Sequence, residues 1–325
     1  FFGWLILYLA AGAFFGRERT FRRVRRIGGL SVLWIPTVIL VPAALGNPSA
    51  ELEYTLIAGL ALLLGFLSER FVRWPRAPLV PAVVGLTVIT VDLAFGSHLI
   101  TRSILGPNPG YGSRFYGIGN ELKPALMVLL LAGLAAALTG RPKSRKNAAI
   151  VLGFGLTLGV VLGSGRLGAG VGAAIIVASA TAVAALMMLP GRMTWKRGLA
   201  LVAAPVIGLT LLAALDLATA GGQGHYTSVL TGGGEGFTDD VRRRSTLAWQ
   251  QLWNGNMPVV TLACLLAAGF AFRNREMFKP WAGPVWPAAL VGGLAGGLIG
   301  SVTEDSGPLL IVVSTLPLTG VCAYL

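Results

Sequence analysis

Between two long apolar segments the chain reads GPNPGYGSRFYGIGNELK, residues 106–123, with five glycines, two prolines, two tyrosines, two asparagines, an arginine and a glutamate. A connector between apolar segments needs only a polar turn. This one sets many hydrogen-bonding groups on a backbone that glycine lets bend sharply. Arg114 suits a phosphate or carboxylate, because its planar fork donates two parallel hydrogen bonds. Tyr111, Phe115 and Tyr116 can line an apolar path for a lipid chain or stack on a sugar. Asn120 and Glu121 open the next apolar segment, where a carboxylate also complements a helix N-terminus. A glycine turn with interfacial tyrosines and a helix cap accounts for much of this, but leaves Arg114, Asn120 and Glu121 together unexplained.

Groups of the same kind recur elsewhere. Asp92 lies in LTVITVDLAFGSHL, about 13 residues past Leu79 and so ~20 Å along a helix. A carboxylate in an apolar span costs up to ~3 kcal/mol and calls for a partner, unless it reaches the headgroups from the helix end. His98 and Arg102 follow, placed to approach the 106–123 loop. The turn GSGRLGAG (163–170) has Arg166 as its single charge. Glycine-exposed N–H groups beside an arginine form an anion nest, although a tight hairpin needs glycine in any case. In SVTEDSGPLL (301–310), Glu304 and Asp305 are adjacent. Such carboxylates can hold a divalent cation with a phosphate, serve one at a time as a general base, or simply be solvated. Acid–base chemistry would draw on Asp92, Glu121 or the Glu304/Asp305 pair, with His98 carrying a proton. Phosphate binding would draw on Arg102, Arg114 and Arg166.

The longest polar connection, 219–256, begins as a glycine-rich stretch and continues as TDDVRRRSTLAWQQLWNG. The second part predicts a helix with Thr238 as N-cap, Asp239 and Asp240 in its first turn, and Val241, Ala248 and Leu252 on one face. Trp249 and Trp253 suit it to the membrane interface. Arg242, Arg243 and Arg244 then either meet anionic headgroups or, on a glycine-hinged lid, cover an anionic substrate, with Arg243 central to the triplet.

These groups need a scaffold, and composition defines it. The 325 residues are 54% hydrophobic and only 12% charged, with a mean hydropathy of +0.74. A soluble domain carries about 25% charged residues, so an all-α integral membrane protein is expected. About eleven spans are predicted: 1–15, 28–46, 55–68, 79–95, 124–140, 148–163, 169–189, 199–218, 257–272, 283–301 and 307–325. They form one transmembrane domain over 1–325 with outward-facing functional loops. Nineteen of the 26 basic residues fall in alternate connections (16–27, 69–77, 141–147, 190–198 and 273–279). By the positive-inside rule those loops are cytoplasmic, residue 1 is outside and the C-terminal end is cytoplasmic. Ten of the 13 acids and both histidines fall on the other side. The net charge of +13 therefore marks topology, and a nucleic-acid partner is not expected. Cys264 and Cys322 lie in apolar segments and read as packed thiols. Glycines 292, 296 and 300 form a close-packing stripe. The first residue is not methionine and the opening apolar run is short, so further chain upstream is expected.

RFYGIGNEL (114–122), with GPNPGYG before it, GSGRLGAG and the later EDSG, resembles the membrane portion of a poorly characterised bacterial family common in actinobacteria. The resemblance implies an extracytoplasmic alkaline-phosphatase-like domain ahead of residue 1, and a location in the bacterial cytoplasmic membrane. It brings no established reaction. The expectation is a membrane domain acting at the outer face on a lipid-linked phosphate or glycan, as a phosphoesterase or a polyprenyl-phosphate-dependent transferase. The alternatives are a transporter or flippase for an anionic lipid or solute, and a membrane anchor for the upstream domain.

Overall fold

The computed structural model describes residues 19–46, 48–107, 116–191, 194–220, 233–273 and 283–325. Among them are twelve α-helices and no strand. They are α1 (Arg19–Val38), α2 (Leu40–Ala44), α3 (Ala50–Phe71), α4 (Leu79–Ala94), α5 (Leu122–Ala137), α6 (Arg145–Gly163), α7 (Val171–Met188), α8 (Trp195–Ala220), α9 (Gly233–Leu252), α10 (Met257–Arg273), α11 (Val285–Thr303) and α12 (Leu309–Tyr324). Ten of the eleven expected apolar segments coincide with these helices, and 1–15 lies outside the described residues.

The count of spans is smaller than the count of apolar segments. Four helices are long and apolar enough to cross a membrane: Arg22–Ala44, Ala50–Phe71, Arg145–Gly163 and Val285–Thr303. A fifth is Met257–Gly269, if joined across its break to Ser245–Leu252. Helices α4, α5 and α12 have 16 residues each, about 24 Å at 1.5 Å per residue. That is less than a hydrocarbon core of about 30 Å. The described residues thus form an all-helical bundle with four to five candidate membrane spans; eleven is not reached on this measure.

The centre of the bundle is α5. Every residue from Leu122 to Ala136 is buried, and the helix packs against α1, α4, α6, α7, α11 and α12. LKPALMVLLLAGLAAA is apolar on all sides, so it has no face suited to water and is enclosed by its neighbours. The glycine stripe of α11 packs as its spacing predicts. Gly292 and Gly296 lie against Ala180 and Ala184 of α7, while Gly293 and Gly297 lie against Leu318 and Ser314 of α12. Without Cβ atoms the helices approach closely, and dispersion rather than water exclusion holds them.

Contacts at the helix ends sort the connections into two groups. At one end Arg26 pairs with Glu69 at 3.6 Å and its guanidinium lies 4.9 Å from the centre of the Trp74 ring. There too the Ala77 amide donates to the Tyr324 hydroxyl at 3.3 Å, joining the 69–77 connection to the C-terminal end of α12. Helices α5 and α11 run antiparallel and are tied at both ends. Trp286 Nε1 donates to Thr139 Oγ1 at 3.1 Å beside the 141–147 connection, and Lys123 meets Glu304 at 2.9 Å at the opposite end. One end of the bundle is therefore basic, and the other gathers the polar connections.

Candidate functional site

Four segments meet at the polar end: 96–107, 116–123, 164–172 and 304–308. Lys123, the second residue of α5, is 1% exposed, and Glu304, just past the end of α11, is 3% exposed. The Lys123 ammonium donates to Glu304 Oε1 at 2.9 Å and to Asn120 Oδ1 at 2.6 Å. The Asn120 amide then donates to Asp305 Oδ1 at 2.6 Å and to Ser306 Oγ at 3.1 Å. Five side chains from two distant segments thus form one bonded chain, running from a buried ion pair to the half-buried Asp305 and Ser306.

The local sequence explains how two charges can be buried there. Glu304 lies at the N-terminus of α7, against Gly172, where any Cβ would coincide with its carboxylate. The orphan N–H groups and positive dipole of a helix start favour an anion in that place. The Lys123 stem runs beside Gly170, the N-cap of α7. The cost of taking each ion out of water is several kcal/mol, offset here by the short contact and the further hydrogen bond to Asn120.

Around this chain the loops close on one another through backbone groups. The Ile118 amide donates to Gly168 O at 2.9 Å, and the Gly117 amide donates to the buried Ser97 Oγ at 3.0 Å. Gly117 has φ +88°, a left-handed conformation that favours glycine, and its Cα faces the Gly168 backbone.

Asp92 has the partner its burial calls for. Oδ1 accepts from the Leu99 amide at 3.0 Å and Oδ2 from the Ile100 amide at 2.9 Å. Both oxygens therefore hold the turn leading into the short 3₁₀ segment Ile100–Arg102. In this geometry Asp92 is a positioning residue for the loop bearing His98 and Arg102, both exposed. Tyr116 is 45% exposed and Arg166 is exposed, while Glu121 is half-buried at the N-cap of α5. Tyr111 and Arg114 lie outside the described residues.

Glu304 and Asp305 are adjacent but do not act as a pair. Glu304 turns inward to Lys123, and Asp305 bonds Asn120. An ammonium at 2.9 Å holds the position a cation would need at Glu304. Among the described residues no three histidine, cysteine, aspartate or glutamate side chains come together.

The helix expected in the 219–256 connection is present, with an earlier start. It begins at Gly233, so Thr238 lies within the helix rather than at its cap. Glycines 233, 234 and 236 each cost only about 1 kcal/mol in a helix interior, too little to fix the start at Thr238. Helix 245–252 meets helix 257–269 at 93°, so one lies across the direction of the other. Ala248 rests on Gly307, two residues from Asp305, while Trp249 and Trp253 are exposed with ring centres 5.6 Å apart. The exposed Arg242 and Arg243 lie about one and a half turns before Ala248.

Sequence reading missed Lys123, Ser306 and Ser97. The signal for Lys123 was available: a lysine one residue into a wholly apolar helix, away from the basic loops, needs a buried partner. Compared with known protein families, with curated proteins and with solved structures, the chain matches none.

Proposed function

We infer that the polar end binds the phosphate of a lipid-linked substrate at the outer membrane face, as part of a cell-envelope phosphoesterase or transferase. The observation that carries this reading is the bonded chain Glu304–Lys123–Asn120–Asp305/Ser306. A buried charged network in a membrane domain is costly, and such groups mark sites more often than they serve stability. Asp305 and Ser306 are its half-buried end, and the exposed Arg102 and Arg166 are carried by the loops that close around it. Arg114, in the same loop as Asn120, adds a third guanidinium to the reading.

The topology that goes with it has eleven spans, the basic end cytoplasmic, and residue 1 outside in a bacterial cytoplasmic membrane. The clustering of connections into a basic and a polar end supports this, because the positive-inside rule needs that sorting. An alkaline-phosphatase-like domain preceding residue 1, as the resemblance of the 114–122 block implies, would then stand on the same side as the site. One observation favours a second reading, a membrane anchor for such a domain: Lys123 and Glu304 already satisfy each other.

Binding of a polyprenyl phosphate to the purified protein in detergent tests the proposal. Arg102→Ala with Arg166→Ala is expected to weaken binding at least tenfold. Unchanged affinity in the double variant would remove the phosphate site and leave the anchor reading.

A further inference from the structure

Away from the polar end, helices α6 and α8 both pack on α7 and leave a groove of about 560 Å³ between them. Its floor is a row of small residues on α7, Ala174, Ala178 and Ala182, and its walls include Leu152, Leu156, Ile207 and Leu211. It extends along α6 from Arg145 to Val160, about 22 Å at 1.5 Å per residue. Arg145, at the basic end, is the single charged side chain in the lining. The opposite end stops below the 164–172 turn, on a different side of α7 from Glu304.

We propose that this groove holds an acyl chain of an anionic phospholipid, whose phosphate is bound by Arg145 in the leaflet at the basic end. Width selects the occupant. Helices α6 and α8 touch each other as well as α7, so the slot closes where they meet. A hydrocarbon chain, much thinner than a helix about 10 Å across, suits such a slot better than a helix of a second copy. Length agrees as well, since ~22 Å exceeds the ~15 Å of one leaflet's hydrocarbon. A chain gains little by leaving bilayer for protein, because both are apolar. Selectivity therefore has to come from the headgroup. Arg145 supplies a planar donor fork, with Lys143 and Lys146 beside it in the chain. An anionic head is favoured by this charge over a zwitterionic one. The inference depends on the chain being a membrane protein and not on the proposed chemistry of the polar end.

The test uses the whole chain, delipidated in detergent. Titration with phosphatidylglycerol and with phosphatidylcholine of identical acyl chains is read by native mass spectrometry. Phosphatidylglycerol is expected to bind at least tenfold more tightly, and Arg145→Gln to bring the two within twofold. Gly153 and Gly159 line the groove, and a Cβ added at either would meet no atom within 4 Å. Gly153→Leu and Gly159→Leu therefore fill the slot in a helix that leucine favours. They should remove lipid binding while the melting temperature holds or rises. Equal binding of the two lipids by the wild type, or undiminished binding in the filled variants, overturns the proposal. So does a change of oligomeric state in the filled variants with lipid binding intact, which would make the groove an interface between copies.

Discussion

Lys123 and Glu304 stand 181 residues apart in sequence and 2.9 Å apart in space. Each is tolerable in an apolar surrounding only because the other is there. Lys123→Met or Glu304→Gln leaves one charge buried alone, and should destabilise the protein by about 3–5 kcal/mol. Pairing Lys123→Met with Glu304→Leu should recover most of that loss, as measured by denaturant unfolding in detergent. If each single change costs less than 1 kcal/mol, the pair is not buried as described. Gly172→Ala sets two effects against each other. Alanine is the better helix former by about 1 kcal/mol, but its methyl takes the place of the Glu304 carboxylate. The clash should win and lower the melting temperature; a rise would mean Glu304 lies elsewhere. At this scale the sequence was legible in part. It showed that Asp92 needed a partner, but not that two backbone amides seven and eight residues on would supply it. It set Glu304 beside Asp305 as one unit, whereas the fold turns each to a different neighbour. A long-range pair leaves no local pattern, and Lys123 was therefore overlooked.

Among the elements, α9 packs against the turn that carries Asp305 and Ser306. Its Ala248 touches Gly307, whose φ is +55°. Any side chain at Gly307 is strained in itself and meets the Ala248 backbone. Gly307→Val should therefore lift α9 and expose it, raising tryptic cleavage after Arg242 and Arg243 several-fold at unchanged protein concentration. Equal cleavage rates would mean that α9 is not held by this turn. If α9 lies along the interface, Trp249→Phe with Trp253→Phe should remove most of the quenching by lipids brominated near the headgroup. The apolar runs disclosed the helices because hydropathy is a local quantity. The start of α9 was not legible. Glycine disfavours a helix by too little to outweigh the packing of the rest of the element, and packing cannot be read from a window of residues.

For the whole molecule, the sorting of connections into a basic and a polar end gives a direct test of orientation. In a background lacking Cys264 and Cys322, Lys146→Cys and His98→Cys should react with an impermeant thiol reagent from opposite sides of sealed vesicles. Labelling of both from one side would refute the topology. Charge alternation made the two ends readable from sequence, because membrane insertion acts on loop charge one connection at a time. The central place of α5 was less evident, since several segments are equally apolar and only the packing makes one of them the axis. That axis has a mechanical consequence. With α5 and α11 bonded near Thr139–Trp286 and again at Lys123–Glu304, the two helices form a beam held at both ends, which resists sliding of one against the other. If the polar end admits a bulky headgroup as proposed, the opening is expected to pivot around this beam, with α6, α8 and α9 as the swinging parts. Disulfide cross-links between α5 and α11 should leave turnover or transport intact, whereas cross-links tying α9 to the 304–308 turn should stop it.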